Sequence, residues 1–187
     1  MRRERQAFVD LMIPVVKGWS TESAVELASL GVQVHGGMGY VEETGAAQHL
    51  RDARITPIYE GTTGIQAADL IGRKIARDGG RAAAAVLAQM QDVVQALERE
   101  GDEPLKAIAA ALSDAVAALA SAIDFVVSTC DVDMRRASVG AVPFLQLFGV
   151  VAGGWQMARA ALAARRRLQS NDGDAGFLTA KVLTARF

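Results

Sequence analysis

Residues 105–130 read LKAIAAALSDAVAALASAIDFVVSTC, and this stretch decides the fold class. Apolar or small residues recur at alternating intervals of three and four from Leu105 to Val126, and Cys130 follows after a further interval of four. That spacing places them on one face of a helix, and helices with such faces meet at shallow angles in up-down bundles. We therefore predict an all-α protein, an up-down helical bundle in which this segment is one long helix.

Helical spacing continues over most of the chain. Two further one-face series lie in the second half: Val86, Met90, Val93 and Leu97, then Phe144, Phe148, Val151, Trp155, Ala158 and Leu162. The first half predicts helices over 11–31, about 44–53 and 62–77, the last with Ala67, Ile71 and Ile75 on one face. Breaks are predicted at 101–104, 131–140 and 171–176, with a final helix beginning at Phe177.

Proline, glycine and threonine set the predicted boundaries of the first three helices. Pro14 is placed in a first turn, where proline is tolerated, and Thr44 is placed as an N-cap. Pro57 disfavours helix at the preceding residue, so 55–58 is predicted to be an extended link. A glycine-rich break is predicted over 31–40, a helix stop at 79–80, and buried positions at Val25 and Leu27–Ala28.

Composition excludes several classes of function. Hydrophobic residues make up 51% of the 187 residues, and the net charge of −1 provides no basic surface for nucleic acid. Cys130 is the single cysteine, which excludes an internal disulfide and suits a reducing compartment. The composition, rich in alanine and arginine, leads us to expect a bacterial cytoplasm. The two histidines, His35 and His49, are too few and too far apart for a metal cluster, so no metal is expected.

One stretch imitates a membrane span. Residues 137–158 carry no charge, and Gly149 and Gly153 have the small-xxx-small spacing of packed membrane helices. Pro143 and Gln146 interrupt the run, and its large apolar residues keep to one face. A helix buried inside a soluble bundle explains this pattern better, so no membrane span is expected.

Three motifs carry a family resemblance. QVHGGMGY at 33–40, RDARI at 51–55 and IYEGTTGIQ at 58–66 occur in this order and spacing. Together they resemble the C-terminal helical domain of the acyl-CoA dehydrogenases over about residues 11–77. The helices over 81–187 are similar to an extension found in a bacterial subgroup. We therefore divide the chain into 1–78, a partial C-terminal helical domain, and 79–187, a helical extension.

Glu60 is the candidate catalytic residue. It directly precedes Gly61 at the end of an apolar, strand-like run, and a carboxylate at such a tight turn is expected to be partly dehydrated, which suits a general base. The resemblance implies that Glu60 removes the α-proton of an acyl-CoA thioester while the β-hydrogen leaves as hydride to FAD. It places Tyr59 beside the base, and Gly61 where the backbone passes close to substrate.

The resemblance also implies cofactor contacts and partners. Thr62 and Gly64 match positions that touch FAD, and Gln33, Gly36 and Gly37 match a loop that reaches the adenosine end of FAD bound to a neighbouring subunit. Such a loop implies a homo-oligomer. In the intact flavoprotein of fatty acid metabolism, an electron-transferring flavoprotein would reoxidise the flavin.

The family's N-terminal helical domain and middle β-domain have no counterpart in this sequence. The chain is therefore interpreted as a fragment that, alone, neither retains FAD tightly nor turns over substrate, and whose Glu60 is exposed. Missing helices would leave apolar faces uncovered, so we expect either that the extension folds over them or that two copies pair.

Several alternatives stay open at this stage. Glu60 could be a carboxylate favoured by a helix N-terminus, and the glycines at 36, 37 and 39 could form a plain turn. Arg51, Asp52 and Arg54 fit structural ion pairs better than ligand contacts. The whole chain could be a non-catalytic helical oligomerisation module, or part of an acyl-CoA oxidase that passes electrons to oxygen.

Overall fold

The computed structural model describes residues 2–100 and 102–186, and within them it contains helices and no β-strand. The all-α prediction is confirmed. The helices are α1 Arg2–Val34, α2 Gly37–Tyr40, α3 Ala46–Arg54, α4 Thr63–Asp69, α5 Arg81–Glu100, α6 Glu103–Cys130, α7 Met134–Val139, α8 Ala141–Gln169 and α9 Ala175–Thr184. A 3₁₀ turn, Glu42–Thr44, precedes α3, and a π turn, Leu70–Ile75, followed by a 3₁₀ turn, Ala76–Asp78, prolongs α4.

The helices pack around α8. This helix contacts α1, α4, α5, α6 and α9, and α5 lies along α6. The predicted stripe of α8 is buried along its whole length, as are Leu105, Leu112 and Leu119 of α6. On α5, Val94 is fully buried and Val93 only packs against the core. The buried residues form one hydrophobic core, in which Ile71 belongs to the same cluster as Phe148.

The contact between α1 and α8 depends on glycine. Trp19 of α1 lies against Gly149 and Gly153, and a Cβ added at Gly153 would lie 3.1 Å from Cη2 of that ring. In the opposite direction, Leu145 of α8 packs on Gly18, where an added Cβ would lie 2.8 Å from its Cδ1. The second half of the chain thus folds over α1, which was one of the two expectations for uncovered faces.

Two helices, α6 and α8, are long and apolar enough to cross a membrane by length and composition alone. Half of the most apolar window of α8 is buried inside the bundle, against 28% for α6. Pro143 and Gln146 do not interrupt α8, which runs unbroken from Ala141 to Gln169 as a core helix. Length and apolar composition alone are weak support for a membrane span, because the core helices of soluble proteins also meet both criteria.

Helix α1 differs from its predicted form. It begins at Arg2 rather than at residue 11, so Pro14 lies inside the helix. It covers the first four residues of the break predicted over 31–40, and α2 covers the last four. Leu11 and Val15, each 1% exposed, flank Pro14 and anchor this part of α1 in the core, which outweighs the helix-breaking tendency of proline. Leu27, predicted to be buried, is 66% exposed because no described element covers it.

The cap and the link around α3 were also predicted wrongly. Gly45 in the left-handed region (φ 76°) is the N-cap of α3, while the Thr44 hydroxyl donates to the Met38 carbonyl at 2.8 Å. Residues 55–58 form a turn rather than an extended link, because the Thr56 and Ile58 amides donate to carbonyls three residues earlier. The restriction imposed by the following proline is therefore overridden by local hydrogen bonds.

Helices shorten all three breaks predicted in the second half. Helix α6 begins at Glu103, inside the break predicted over 101–104, of which residue 101 lies outside the described residues. The segment 131–140 contains α7, whose N-cap Asp133 accepts hydrogen bonds from the Arg135 and Arg136 amides. Helix α9 begins at Ala175, two residues before Phe177, because Asp174 caps it through the Phe177 amide at 2.6 Å. For both α7 and α9 the sequence carries a local signal for the start of the helix, an aspartate directly before it.

Candidate active site

Glu60 occupies a tight turn before α4, as predicted. Its φ of 54° lies in the left-handed region, and Gly61 follows with a φ of 92°. A residue with a Cβ pays about 1–2 kcal/mol for this conformation, so such a position is strained unless its surroundings hold it there. Thr62 is the N-cap of α4, so Glu60 lies two residues before the cap and outside the first helical turn. Glu60 is therefore not one of the residues of that turn, where the favourable effect of the helix N-terminus on a carboxylate is largest.

Hydrogen bonds from α4 close the turn. Gln66 Nε2 donates to the Glu60 carbonyl at 3.2 Å, so the amide of the first α4 turn holds the strained peptide. A Cβ at Gly61 would lie 2.9 Å from the same nitrogen, so the Gln66 side chain would have to move, and the φ of 92° independently favours glycine. The Thr63 hydroxyl donates to Glu22 Oε1 of α1 at 2.5 Å, which ties the start of α4 to that helix.

Lys17 of α1 anchors the other side of the turn. Its ammonium Nζ donates to the Thr56 carbonyl at 2.7 Å and lies 5.4 Å from the centroid of the Tyr59 ring. Lys17 is half-buried, so this charge-assisted hydrogen bond is only partly screened by water. Neither Lys17 nor Glu22 was predicted from the sequence, since each meets its partner across about forty residues and no local pattern marks either one.

The Glu60 carboxylate itself faces solvent. Its side chain is exposed, and no ion pair or hydrogen bond engages the carboxylate within residues 2–100 and 102–186. The partial dehydration expected from an apolar strand does not occur, because the preceding segment is a turn whose Ile58 and Tyr59 are 47% and 50% exposed. Glu60 is exposed, as expected for a residue in an incomplete pocket.

The candidate cofactor positions leave room for a ligand. Thr62 is exposed and its hydroxyl makes no cap hydrogen bond, while a Cβ added at Gly64 would have no neighbour within 4 Å. Gly36, with a φ of 62°, and Gly37 are open in the same way. Gln33 is exposed in the last turn of α1. Backbone without side chains and an exposed side-chain amide suit close approach by a nucleotide. These residues are therefore compatible with FAD, the cofactor that the family resemblance implies.

The glycine loop and the Glu60 turn lie at different levels of α1. The turn is tied to Lys17 and Glu22, whereas Gln33 lies eleven residues after Glu22, about 16 Å along the helix axis. One chain therefore does not bring the two groups together, which is the arrangement expected if the loop serves a neighbouring subunit. Gly39 differs from its neighbours, because it is buried and an added Cβ would lie 2.9 Å from His35 Cβ.

The RDARI motif has structural contacts. Arg51 pairs with Glu42 at 3.2 Å and donates to Gln48 Oε1 at 2.8 Å, and Gln48 donates in turn to Asp52 at 2.6 Å. These contacts support the ion-pair interpretation for Arg51. No group of three or more histidine, cysteine, aspartate or glutamate side chains that could hold a metal occurs in the described part of the chain.

Comparison with known proteins assigns the family. Residues 2–76 match the family model of the acyl-CoA dehydrogenase C-terminal domain, and residues 86–187 match the model described as acetyl-CoA dehydrogenase C-terminal like. The chain belongs to the acyl-CoA dehydrogenase family. The segments before and after the connection at Gly79–Gly80 thus each match a C-terminal model of this family.

Individual acyl-CoA dehydrogenases match over different lengths. The chain is 52% identical to the 3-methylmercaptopropionyl-CoA dehydrogenase of Ruegeria pomeroyi, over 98% of the chain and 31% of that protein. It is 37% identical to the broad-specificity linear acyl-CoA dehydrogenase FadE5 of Mycobacterium tuberculosis, over 95% of the chain and 30% of that protein. The human mitochondrial short-chain specific acyl-CoA dehydrogenase is 53% identical over 47 residues, 25% of the chain and 11% of that protein. The chain spans about 30% of the length of the first two relatives.

Proposed function

We propose that this chain is the base-bearing C-terminal part of an FAD-dependent acyl-CoA dehydrogenase that converts an acyl-CoA thioester to a 2-enoyl-CoA. The observation that carries the proposal is the conformation of Glu60. A non-glycine residue with a φ of 54° is held by Gln66 and the Lys17-anchored turn while its carboxylate stays unpaired. Local strain that serves no packing purpose is typical of functional sites.

Glu60 acts as the general base in this proposal. Its carboxylate takes the α-proton, the α-carbon electron pair forms the new carbon–carbon double bond, and the β-hydrogen leaves with its bonding pair. FAD, when bound, supplies the two-electron acceptor for that hydrogen. The α-proton of a thioester is weakly acidic, so the base must lie within hydrogen-bond reach of it. Tyr59 limits the space beside the base, and Gly61 lets the substrate pass close to the backbone.

The remaining candidate residues hold the cofactor. Thr62 and Gly64 contact the FAD of their own subunit, and Gln33, Gly36 and Gly37 contact the FAD of the neighbouring one. The intact enzyme is accordingly a homo-oligomer, with an electron-transferring flavoprotein as its acceptor, in a bacterial cytoplasm and without a membrane span. The 187-residue chain alone does not hold FAD tightly and has no turnover, because it corresponds to only about 30% of the length of the first two relatives.

The test uses the intact dehydrogenase that contains this chain. Wild type and Glu60→Gln are purified with bound flavin and mixed anaerobically with acyl-CoAs, beginning with 3-methylmercaptopropionyl-CoA and linear acyl-CoAs, the substrates named for the relatives. Loss of a general base lowers the rate by about 10²–10⁴-fold, so flavin bleaching should disappear in the variant. Glu43→Gln, an exposed carboxylate in the loop before α3, is the matched control and should bleach normally.

Three results separate the alternatives. Equal bleaching of wild type and Glu60→Gln removes Glu60 from the mechanism. A wild-type protein that binds no flavin and bleaches with no acyl-CoA is a helical oligomerisation module. Stoichiometric peroxide formation in air, without a flavoprotein acceptor, identifies an oxidase.

A further inference from the structure

Two side chains of helix α1 hold the Glu60 turn, one on each side of the base. Lys17 Nζ donates to the Thr56 carbonyl at 2.7 Å, four residues before Glu60. Glu22 Oε1 accepts from the Thr63 hydroxyl at 2.5 Å, three residues after Glu60. The two α1 residues lie five positions apart, about 7.5 Å along the helix axis. The segment between the two threonines is thus attached at both of its ends to one helix.

Both attachments are charge-assisted hydrogen bonds. An ammonium donates in the first and a carboxylate accepts in the second, and such bonds are shorter and stronger than those between neutral groups. Lys17, Thr56 and Thr63 are each half-buried, so water competes only partly for these bonds. Pro57, directly after Thr56, is buried. The two ends of the turn are therefore held more firmly than those of a fully exposed loop.

The Glu60 carboxylate depends on these attachments for its position. Its side chain is exposed and, within the part of the chain that the structure describes, unpaired, so the backbone of the turn determines where the carboxylate lies. The Gln66 amide, which donates to the Glu60 carbonyl, comes from α4, and α4 follows directly on the turn. That contact fixes the shape of the turn, whereas the contacts with α1 fix where the turn lies in the molecule.

Lys17 also reaches the residue beside the base. Its Nζ lies 5.4 Å from the centroid of the Tyr59 ring, within the range of a cation–π interaction. The Tyr59 amide donates to the Ile55 carbonyl at 3.2 Å, so the backbone of this residue is fixed as well. One ammonium therefore holds both the backbone that leads to Glu60 and the aromatic ring next to it.

We propose that Lys17 and Glu22 are positioning residues for the Glu60 base and together form an α1 clamp, which fixes the distance of the Glu60 carboxylate from the α-carbon of the acyl-CoA. This inference rests on the proposed function of Glu60, and neither clamp residue transfers a proton. A base must lie within hydrogen-bond reach of the proton that it removes, and a displacement of about 1 Å can lower the rate by about 10²-fold. Loss of the clamp therefore slows proton removal without weakening the binding of acyl-CoA.

The first test measures flavin bleaching in the intact dehydrogenase, with the acyl-CoA of the panel above that bleaches the wild type fastest. Lys17→Met and Thr63→Val each remove one attachment with little change of shape. Each should lower the limiting rate about 10-fold, and the double variant about 10²-fold, while the dissociation constant of the acyl-CoA stays close to that of wild type. Lys17→Arg and Thr63→Ser keep a donor and should recover most of the rate. Loss of folded protein would lower the amplitude of bleaching and leave the limiting rate unchanged.

The Glu22 side of the clamp has its own controls. Glu22→Leu removes the acceptor of the bond that Thr63→Val deprives of its donor, so the two changes together should slow bleaching no more than either alone. Glu26→Leu removes an exposed carboxylate one turn further along α1 and is the matched control. It should bleach at the wild-type rate.

Amide hydrogen exchange, followed by mass spectrometry, gives a second readout that does not depend on catalysis. The Ile58 and Tyr59 amides donate to the Ile55 carbonyl inside the turn. In the intact protein without acyl-CoA, they should exchange about 10-fold faster in Lys17→Met than in wild type, the factor expected for the loss of one hydrogen bond to a charged group. Exchange in Glu26→Leu should match wild type.

Failure of the clamp and failure of the base give different results. If Glu60→Gln is inactive while Lys17→Met and Thr63→Val bleach at the wild-type limiting rate, the clamp is overturned and the base is retained. If Glu60→Gln bleaches like wild type, or wild type bleaches with no acyl-CoA, the proposed function fails and the clamp fails with it. A loss that appears in the dissociation constant of the acyl-CoA, or that Thr63→Ser does not restore, also refutes the positioning role.

Discussion

Substituting alanine at Gly149 tests how closely α8 packs on α1. A Cβ at this position would lie 2.5 Å from both Cβ and Cδ1 of Trp19, and closer still to Cγ. These atoms are near the backbone of α1, so a rotamer change cannot remove the overlap, and the two helices must separate. Gly154 lies on the same helix, and a Cβ there would have no neighbour within 4 Å. Alanine at Gly154 is therefore the matched control.

The magnitude follows from two opposing terms. Replacing a glycine inside a helix by alanine gains about 0.8–1 kcal/mol at either site. Overpacking usually costs about 1–3 kcal/mol, and the contact with atoms close to the Trp19 backbone places Gly149→Ala in the upper part of that range. The propensity gain cancels in the difference between the two variants, so Gly149→Ala should be less stable than Gly154→Ala by about 2–3 kcal/mol.

Urea unfolding followed by circular dichroism at 222 nm measures this difference, and thermal unfolding should separate the two midpoints by about 5–10 °C for a protein of this size. Gly154→Ala should be more stable than wild type. If the two alanine variants unfold within about 0.5 kcal/mol of each other, the close contact between α1 and α8 is not present in solution.

Three further predictions concern single side chains. Glu60→Gly should raise the free energy of unfolding by about 0.5–1 kcal/mol, measured in urea, because glycine removes the left-handed strain, whereas Glu60→Ala should not. Lys17→Met should destabilise the protein by about 1–2 kcal/mol and speed amide exchange in the turn before α4, whereas the exposed Lys106→Met should cost about 0.5 kcal/mol or less. Burial raises the pKa of the Cys130 thiol, and the Asp131 carboxylate raises it further. Labelling of Cys130 by a disulfide reagent should therefore be slow at pH 8 and become faster as the pH rises, and Asp131→Asn should accelerate it. A labelling rate that has reached its plateau by pH 8 would contradict this prediction.

The bundle of the second half could be predicted because its pattern is local. One-face series such as those through Leu119 and Phe148 bury a continuous stripe wherever a partner helix is available, and both residues lie in the core. Predicting these buried stripes did not require knowing which helices pack against them. The aspartate caps at 133 and 174 were equally local signals, but the predicted boundaries there rested on glycine and proline rather than on capping.

Helix α1 shows the limit of periodicity. It has two apolar faces, one through Leu11 and Val15 and another through Ile13, Leu27 and Leu30. The first is buried and the second is exposed, because the other helices of this chain pack on only one side of α1. Period alone identifies both faces as apolar and does not tell which one the fold will use, so the buried position assigned to Leu27 was wrong.

The Glu60 turn was predictable and its supports were not. Gly61 beside a carboxylate indicated a tight turn, which the positive φ values of both residues confirm. The contacts of Lys17 with the turn and of Glu22 with Thr63 arise only when α1 lies beside α4, so they depend on tertiary structure. Exposure of the carboxylate likewise depends on which segments cover it. The roles assigned to the cofactor and substrate residues remain predictions.

The shared interior of this chain has a thermodynamic consequence. Leu11, Leu70 and Ile71 from the segment matched by one family model belong to the same buried cluster as Met90 and Phe148 from the segment matched by the other. Neither segment can melt while the other stays native, so heat or urea takes both through a single cooperative transition. Cleaving the backbone at the 79–80 connection would leave two polypeptides that remain bound as a noncovalent complex, much as a nicked globular enzyme does.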